Sequence, residues 1–294
     1  MKKLNIKEET TLLAALLKEG HSRTKVKQLL KYRAVSLGDL PVSRIDQVLV
    51  PGDVLTITSE KEGTGHYPPC PGLDIIYEDA DIIVIDKPPG LLTIASETEK
   101  KKTAYYKLTA CLGERAGGEE RVFIIHRLDQ GTSGLLVFAK NEEAKHTLQG
   151  SWQDARKKYR AIVEGVPKKD SDTIKSYLCE SKIHRVYSVP TDNGECKYAE
   201  TCYEVVQTQG GYSLLDITLI TGRKNQIRVH LADLGHPVVG DKKYGAKADP
   251  IKRLALQSYT LEFNHPVSGQ PMAFTLDMPE KFKSLLHNVT KFKT

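Results

Sequence analysis

The sequence predicts an α+β fold: a mixed, largely antiparallel β-sheet flanked by helices, preceded by a small N-terminal α/β module. Strand-like segments recur through residues 74–278, and several alternate polar and apolar side chains, as antiparallel strands with one buried face do. Helical patterns interrupt these segments without regular β-α alternation, which argues against a parallel α/β fold. The 294 residues and 39% hydrophobic content suit one large and one small globular domain.

The N-terminal module is predicted over residues 1–60. A first amphipathic helix is indicated by leucines at helical spacing, namely Leu12, Leu13, Leu16 and Leu17. A second helix is expected after Ser22, and VLVPGDVLTI (residues 48–57) indicates two short strands around a Pro-Gly-Asp turn.

The second helix carries a run of cations with no acidic residue between Glu19 and Asp39. A solvated helix face is the simplest explanation of such a run. Neighbouring cations without a counter-charge repel one another, however, and the net charge of the chain is +6. We therefore expect an anionic partner on this face, bound by Arg23, Lys25, Lys27, Lys31 and Arg33.

Residues 61–72 are rich in Gly, Pro and charge and are predicted to be a linker, and residues 73–294 to be the larger domain. In that domain the strand-like segments are residues 74–77, 81–88, 121–125, 134–139, 157–165, 197–206, 212–220 and 272–278. Helical patterns cover residues 103–115, 142–153, 224–235 and 279–288.

Composition excludes several classes of protein. No apolar run is long enough to cross a bilayer and no signal-peptide core is present, so we expect a cytoplasmic protein without a membrane partner. The five Cys are scattered and form no CxxC, which favours reduced thiols over disulfides or zinc. Since no His/Cys cluster or dinucleotide motif is present, we expect no metal and no organic cofactor.

The segment HRLDQGTSGLLVFAK (residues 126–140) lies between two apolar runs. A lone Asp in such Gly-rich sequence is usually a turn residue. Arg127, however, lies two positions before Asp129, so both side chains could share one face of an extended segment. Gly131 and Gly134 would allow a ligand to approach the backbone. A kinase catalytic loop is rejected, because position 134 is Gly rather than Asn and no GxGxxG or DFG is present.

Three further segments place polar side chains at strand exits. Lys87 stands in DKPPG after a buried strand, and Tyr159 enters a strand in KKYRA, where plain packing is the usual role of a Tyr. The segment TGRKNQIRVHLADLGHPVVGDKKYG predicts a turn followed by a helix after a strand. Its polar candidates are Arg223 in the turn and Gln226 and Arg228 in the helix.

Together, and in this order, these four segments resemble the RluA-type pseudouridine synthases, which carry DKPxG, HRLDxxTSG, KxYxA and TGRxxQIRVHLxxLGHPxxGDxxYG. The resemblance covers about three quarters of the chain. Residues 10–58 resemble the small RNA-binding module known from ribosomal protein S-four, a frequent companion in that family. The chain departs from the family pattern at Asn225, where His is common, and in LLTIAS, which has no His after the DKPPG turn.

The resemblance implies roles for particular residues. Asp129 corresponds to the catalytic aspartate, and Arg228 to the basic residue that pairs with the aspartate. Tyr159 corresponds to the tyrosine that stacks on the base and could help to remove a proton. Arg127 corresponds to the arginine that takes the place of the flipped uridine. Lys87, Arg223 and Gln226 are expected to bind substrate.

The implied activity is isomerisation of uridine to pseudouridine in structured RNA, ribosomal RNA being favoured and transfer RNA possible. The nucleotide would have to leave the helix stack, and no cofactor is needed. No obligate protein partner is evident, so a monomer is expected. One alternative is a non-catalytic RNA-binding protein of the same fold, which would be expected to have lost the Asp, Tyr or Arg. Another is a glycosidase, which normally needs two facing carboxylates where these segments offer one.

Overall fold

The computed structural model describes residues 2–31, 34–37, 40–42, 45, 47–57, 70–116, 118, 120–192 and 194–287. Within these ranges the side chains of Lys27, Gln28, Lys31, Leu40 and Pro41 are not described. Among the described residues, no helix is both long and apolar enough to cross a membrane.

The N-terminal residues form a small sheet with two helices. The helices are α1 (Leu12–Lys18) and α2 (Arg23–Lys31), and the strands are β1 (Lys2–Asn5), β2 (Thr10–Thr11), β3 (Val35–Leu37), β4 (Leu40–Pro41), β5 (Val48–Leu49) and β6 (Val54–Ile57). Strands β1, β6, β3 and β4 pair in this order, and β2 pairs with β5. The predicted turn after β5 is closed by Asp53, whose carboxylate accepts the Val50 N–H at 2.9 Å. Buried residues between Ile6 and Ile57 form a hydrophobic cluster of their own.

The larger part of the chain is built on one extended sheet. Its strands are β7 (Asp74–Glu78), β8 (Ile82–Lys87), β9 (Phe123–Ile124), β10 (Ser133–Ala139), β11 (Arg156–Glu164), β12 (Ser171–Glu180), β13 (Val186–Val189), β14 (Lys197–Gln209), β15 (Tyr212–Leu219), β16 (Leu256–Asn264) and β17 (Pro271–Thr275). The helices are α3 (Ala104–Ala116), α4 (Glu142–Ser151), α5 (Gln226–Asp233) and α6 (Glu280–His287).

The strand order is β13-β12-β14-β15-β11-β16-β10-β8-β7, with β17 on β16 and β9 on β10. Among the described pairs of this sheet only β10 and β16 run parallel, and the others are antiparallel. The predicted mixed, largely antiparallel α+β fold is therefore confirmed.

Alternate side chains of the central strands enter two hydrophobic clusters. On β8, Ile83 and Ile85 pack with residues of α3, α5 and α6, whereas Ile82 and Val84 pack with Leu148 of α4. Both faces of β8 are thus covered, which explains why its sequence is continuously apolar rather than alternating. The strand that leads into the DKPPG turn, β8, and the strand that follows the HRLD loop, β10, are buried on both faces and support these two segments.

The cysteines differ from the expectation. Cys70 is joined to Cys111 and Cys179 to Cys196 as disulfides, while Cys202 is a free thiol. The expectation of reduced thiols is wrong for these four residues, because the pairs are 41 and 17 residues apart in sequence and only the fold brings them together. Cys70 is buried in the main cluster, whereas residues 61–69 of the predicted linker lie outside the described ranges.

Candidate active site

The HRLD loop is anchored at its centre by Leu128. This side chain is buried, and its backbone is held by the hydroxyl of Thr93, which accepts the Leu128 N–H at 3.1 Å and donates to the Leu128 carbonyl at 2.8 Å. Arg127 on one side is exposed, and Asp129 on the other retains 24% of its side-chain accessibility. Both line one cavity, so anchoring Leu128 presents its two polar neighbours to the same space.

Lys87 is not among the residues that line this cavity, and its predicted contact with substrate stays a prediction. Its side chain is fully buried, and its Nζ donates to the carbonyl oxygens of Leu91 at 2.8 Å, Pro88 at 3.0 Å and Gln130 at 3.3 Å. Burial lowers the pKa of Lys87 to about 8, although the charge of Asp129 opposes this shift. Because Gln130 directly follows Asp129, Lys87 fixes the position of the loop.

The carboxylate of Asp129 is held through one oxygen. Its Oδ2 accepts a hydrogen bond from Asn225 Nδ2 at 2.6 Å and one from Arg228 Nη1 at 3.2 Å. Among the described residues, no hydrogen bond reaches Oδ1, which leaves this oxygen available to a ligand in the cavity. The carboxylate is therefore oriented by two donors and still has one oxygen free for chemistry.

Arg228 is itself fixed by a second carboxylate, that of Asp241. Its Nε and Nη2 donate to the two oxygens of Asp241 at 2.6 and 2.8 Å, a bidentate pair in which the Asp241 side chain is 1% exposed. Burial alone would lower the pKa of Arg228, but the hydrogen bonds and charge of Asp241, together with the charge of Asp129, outweigh it and raise this pKa. Arg228 is thus a permanent cation beside Asp129.

Tyr159 forms part of the cavity wall and is 7% exposed. Burial raises the pKa of its phenol to about 12; a hydrogen bond with Ser258 opposes the shift and the charge of Asp129 adds to it. The side chain is therefore a neutral phenol at physiological pH, with a flat face suited to packing against a base.

Gln226 lies at the cavity but is 2% exposed and engaged by the protein. Its Nε2 donates to Glu200 O and Thr201 Oγ1, each at 2.9 Å. Its Oε1 accepts from Thr221 Oγ1 at 2.8 Å and from the Arg223 N–H at 3.0 Å. This side chain shapes the turn before α5, and its predicted contact with substrate stays a prediction.

Arg223 is exposed at the same cavity, and its Nε donates to the Tyr198 carbonyl at 3.0 Å. Of the cations predicted on α2, Arg23 is exposed and Lys25 is partly exposed. The side chains of Lys27 and Lys31, and the whole of Arg33, lie outside what the structure describes, so this part of the predicted basic face remains a prediction.

Three residues of the site were not singled out from the sequence. Asp241 and Tyr244 belong to the GDKKYG end of the fourth segment, and the Tyr244 hydroxyl donates to Asn225 Oδ1 at 3.1 Å. Thr93 lies in LLTIAS. Asp241 and Tyr244 are the D and Y of the family pattern GDxxYG, so the sequence marked their positions. Their partners, Arg228 and Asn225, could be identified only from the folded chain.

A cluster that could suggest a metal lies elsewhere, at the turn between β7 and β8. Asp79, Asp81 and His265 are buried close together. The Asp79 carboxylate already accepts hydrogen bonds from the backbone N–H groups of Asp81 and Ile82, from Tyr77 and from His265, at 2.7–2.8 Å. These contacts close the turn and explain the burial of the cluster without an ion.

Comparison with known proteins adds an independent line of information. The sequence model of the family described as RNA pseudouridylate synthase matches residues 81–233. An uncharacterized RNA pseudouridine synthase of Chlorobaculum parvum is 38% identical over 77% of this chain and 79% of its own. The ribosomal large subunit pseudouridine synthase D of Nitrosomonas europaea is 33% identical over 94% and 83%. The structure of human RNA pseudouridylate synthase domain containing 4 shares the fold, with a TM-score of 0.60 at 24% identity over 73% of this chain and 92% of that chain.

Proposed function

Because this chain belongs to the RNA pseudouridylate synthase family, we propose that it isomerises uridine with the carboxylate of Asp129. The observation that carries this assignment is the environment of that carboxylate. One oxygen is bound by Asn225 and Arg228, while the other faces the cavity that Arg127 and Tyr159 also line.

The reaction breaks the bond between the ribose anomeric carbon and N1 of uracil. N1 keeps the electron pair of the broken bond and takes up a proton. The base turns, a new bond forms from its carbon 5 to the same anomeric carbon, and the hydrogen of carbon 5 leaves as a proton, so that no proton is gained or lost overall. Atoms and electrons balance without an oxidant or reductant. Asp129 can act by attacking the anomeric carbon or by removing a ribose proton to form a glycal, and both routes require the ionised carboxylate.

Arg228 and Asn225 orient this carboxylate. The guanidinium, held by Asp241, places a fixed positive charge next to Asp129, and the Asn225 amide adds a second donor to the same oxygen. Both donors hold the carboxylate in one orientation in the cavity. Since the donors are preorganised by buried partners, little rearrangement is needed when the substrate enters.

Tyr159 is proposed to pack against the uracil ring. With a pKa of about 12 its phenolate is scarce at neutral pH, which argues against the free side chain as the acceptor of the carbon 5 proton. Arg127, exposed at the cavity mouth, is proposed to occupy the space that the uridine leaves in its stack and to contact phosphate.

We further propose a division into an RNA-binding domain (residues 1–60), a linker (61–72) and a catalytic domain (73–294). Support comes from the separate hydrophobic clusters on either side of residues 58–69.

Ribosomal RNA is the favoured substrate, since relatives such as that of Nitrosomonas europaea are named for the ribosomal large subunit. Transfer RNA is the second candidate. We also propose that the protein acts on RNA in the cytoplasm as a monomer, since no obligate protein partner is evident from the sequence.

The assignment is tested by release of tritium from RNA labelled at carbon 5 of uracil. Wild type, Asp129→Asn and Asp170→Asn are incubated with large-subunit ribosomal RNA and with transfer RNA transcribed without modification. Asp170 is exposed and lines no part of the site, so it controls for the loss of one carboxylate. Asp129→Asn should lower the rate by about 1,000-fold or more while RNA binding persists. Equal release by Asp129→Asn and wild type would refute the role of Asp129.

A further inference from the structure

A groove of about 920 Å³ continues from the Asp129 cavity. It shares Arg127, Asp129 and Tyr159 with that cavity and extends past the end of α4 and the start of β11. The additional space exceeds what one nucleotide at Asp129 requires. The groove therefore has room for the chain on one side of the target uridine.

Lys157 lies in the wall of this groove and is 8% exposed. Its Nζ donates to the Trp152 carbonyl at 3.1 Å, so one of its three donor positions has a protein partner among the described residues. Lys157 and Tyr159 are two residues apart on β11 and therefore share one face of the strand, about 7 Å from one another along it.

The charge of Lys157 has no counter-ion in the groove. Asp129 is the carboxylate among the lining residues and is already paired with Arg228, while Asp154 acts on Lys157 from outside the groove. The neighbouring His126 is uncharged, because burial and the charge of Lys157 lower its pKa to about 3, and its Nε2 accepts the Val137 N–H at 3.2 Å. Burying an ammonium group without an anion costs free energy. An anionic ligand that binds next to Lys157 would remove this cost.

We propose that Lys157 binds the phosphodiester of a nucleotide next to the target uridine, with the groove holding that stretch of RNA in single-stranded form. This inference rests on the proposed function for the identity of the ligand. A phosphate supplies the missing anion, and Arg127 and Arg223 give the rest of the groove the same sign of charge, whereas the third cation, Lys224, is paired with Glu180.

The test compares Lys157→Met with Lys158→Met in the full-length chain. Lys158 is the adjacent residue on the other face of β11 and is paired with Asp216 at 2.9 Å, so it is a matched control for the loss of one charge. Binding of a fluorescent twelve-residue oligouridylate is measured by anisotropy between 50 and 300 mM salt. Lys157→Met should weaken binding about tenfold and reduce the salt slope by about 0.7. Lys158→Met should remain within twofold of wild type.

Phosphate recognition is separated from base or sugar recognition with an oligouridylate whose linkages are uncharged methylphosphonates. Wild type and Lys157→Met should bind this oligomer equally, and Lys157→Arg should retain most of the affinity of wild type for the natural oligomer. Melting temperatures within a few degrees of wild type establish that each variant is folded. Tighter binding of the uncharged oligomer by wild type than by Lys157→Met would overturn the phosphate assignment, as would equal binding of the natural oligomer by Lys157→Met and Lys158→Met.

Failure of the proposed function would be distinguishable from failure of this inference. Oligouridylate binding does not require turnover, so Asp129→Asn should bind it normally and should still lose affinity when combined with Lys157→Met. If wild type released no tritium yet Lys157→Met weakened binding, the phosphate site would be supported and the proposed isomerisation of uridine would be refuted. With an active RNA, Lys157→Met should raise KM while kcat stays within threefold.

Discussion

Asn225 links the carboxylate of Asp129 to the hydroxyl of Tyr244. Its Nδ2 donates to Asp129 and its Oδ1 accepts from Tyr244, so both ends of the amide have a defined partner. The backbone of Asn225 is left-handed, with φ at 54°, a conformation that Asn tolerates better than most residues. The family position often held by His is therefore filled by a side chain that still provides a donor to the aspartate.

Asn225→Asp is predicted to lower kcat by about 10- to 100-fold, because it replaces the donor with a second carboxylate next to Asp129 and favours the protonated acid there. The shapes of the two side chains are nearly the same, so KM should change little. Tritium release under saturating RNA measures the effect.

Asn141→Asp is the matched control for this substitution. Asn141 Nδ2 donates to Asp81 at 2.9 Å, so the change also places a new carboxylate beside an existing one, but the residue lines neither the cavity nor the groove. It should reduce stability without reducing kcat. Wild-type kcat in Asn225→Asp would show that this donor is dispensable.

Among the elements, the strand that follows the HRLD loop is positioned by an unusually close backbone contact. Ser133 and Gly134 are the residues of β10 that pair in parallel with β16, and the φ of Gly134 is 115°. A Cβ at this position would lie 2.0 Å from the Ser258 carbonyl oxygen. Glycine is thus required both by the backbone conformation and by the space available.

Gly134→Ala is predicted to destabilise the protein by about 3–5 kcal/mol, since β10 and β16 would have to separate. Gly90→Ala is its control, because Gly90 also has a positive φ, 87°, but its Cβ would meet nothing within 4 Å. That variant should lose only about 1–2 kcal/mol from backbone strain. Urea unfolding of the two variants gives the comparison, and equal losses would show that the close approach of β10 to β16 relaxes without cost.

Strands whose apolar pattern is continuous or alternating were predictable from the sequence, among them β8, β10 and β15. β16 was missed because buried Gln257, Ser258 and Thr260 interrupt its pattern, and their partners come from distant parts of the chain. β12 was missed because the first half of its sequence is mostly polar and gives little apolar signal, and β13 because its four residues are too few to show a period. Asp129, Tyr159 and Arg228 were found through family blocks. The buried states of Lys87 and Gln226 depend on carbonyl groups and side chains that only folding brings near.

On the scale of the whole molecule, the described hydrophobic clusters divide at the segment 58–69. One cluster is formed within residues 6–57, and the other clusters are formed from residues 70–286. All the residues assigned to the chemistry, together with Lys157, belong to the second part. The chain from residue 59 onward should therefore keep its core and its active site without the N-terminal part.

Removal of residues 1–58 is predicted to weaken RNA binding while leaving the chemical step intact. The removed residues include Arg23 and Lys25 with the other cations predicted on and after α2, so the slope of log affinity against log salt should fall by about 0.7–0.9 for each phosphate that the shortened chain no longer binds. KM should rise, and kcat under saturating RNA should stay within threefold. Arg23→Glu with Lys25→Glu in the full-length chain is the matched variant, because it alters charge without removing the module. An unchanged salt slope in both proteins would mean that the basic helix does not bind RNA, and loss of kcat with an unchanged slope would mean that the module supports the catalytic domain instead.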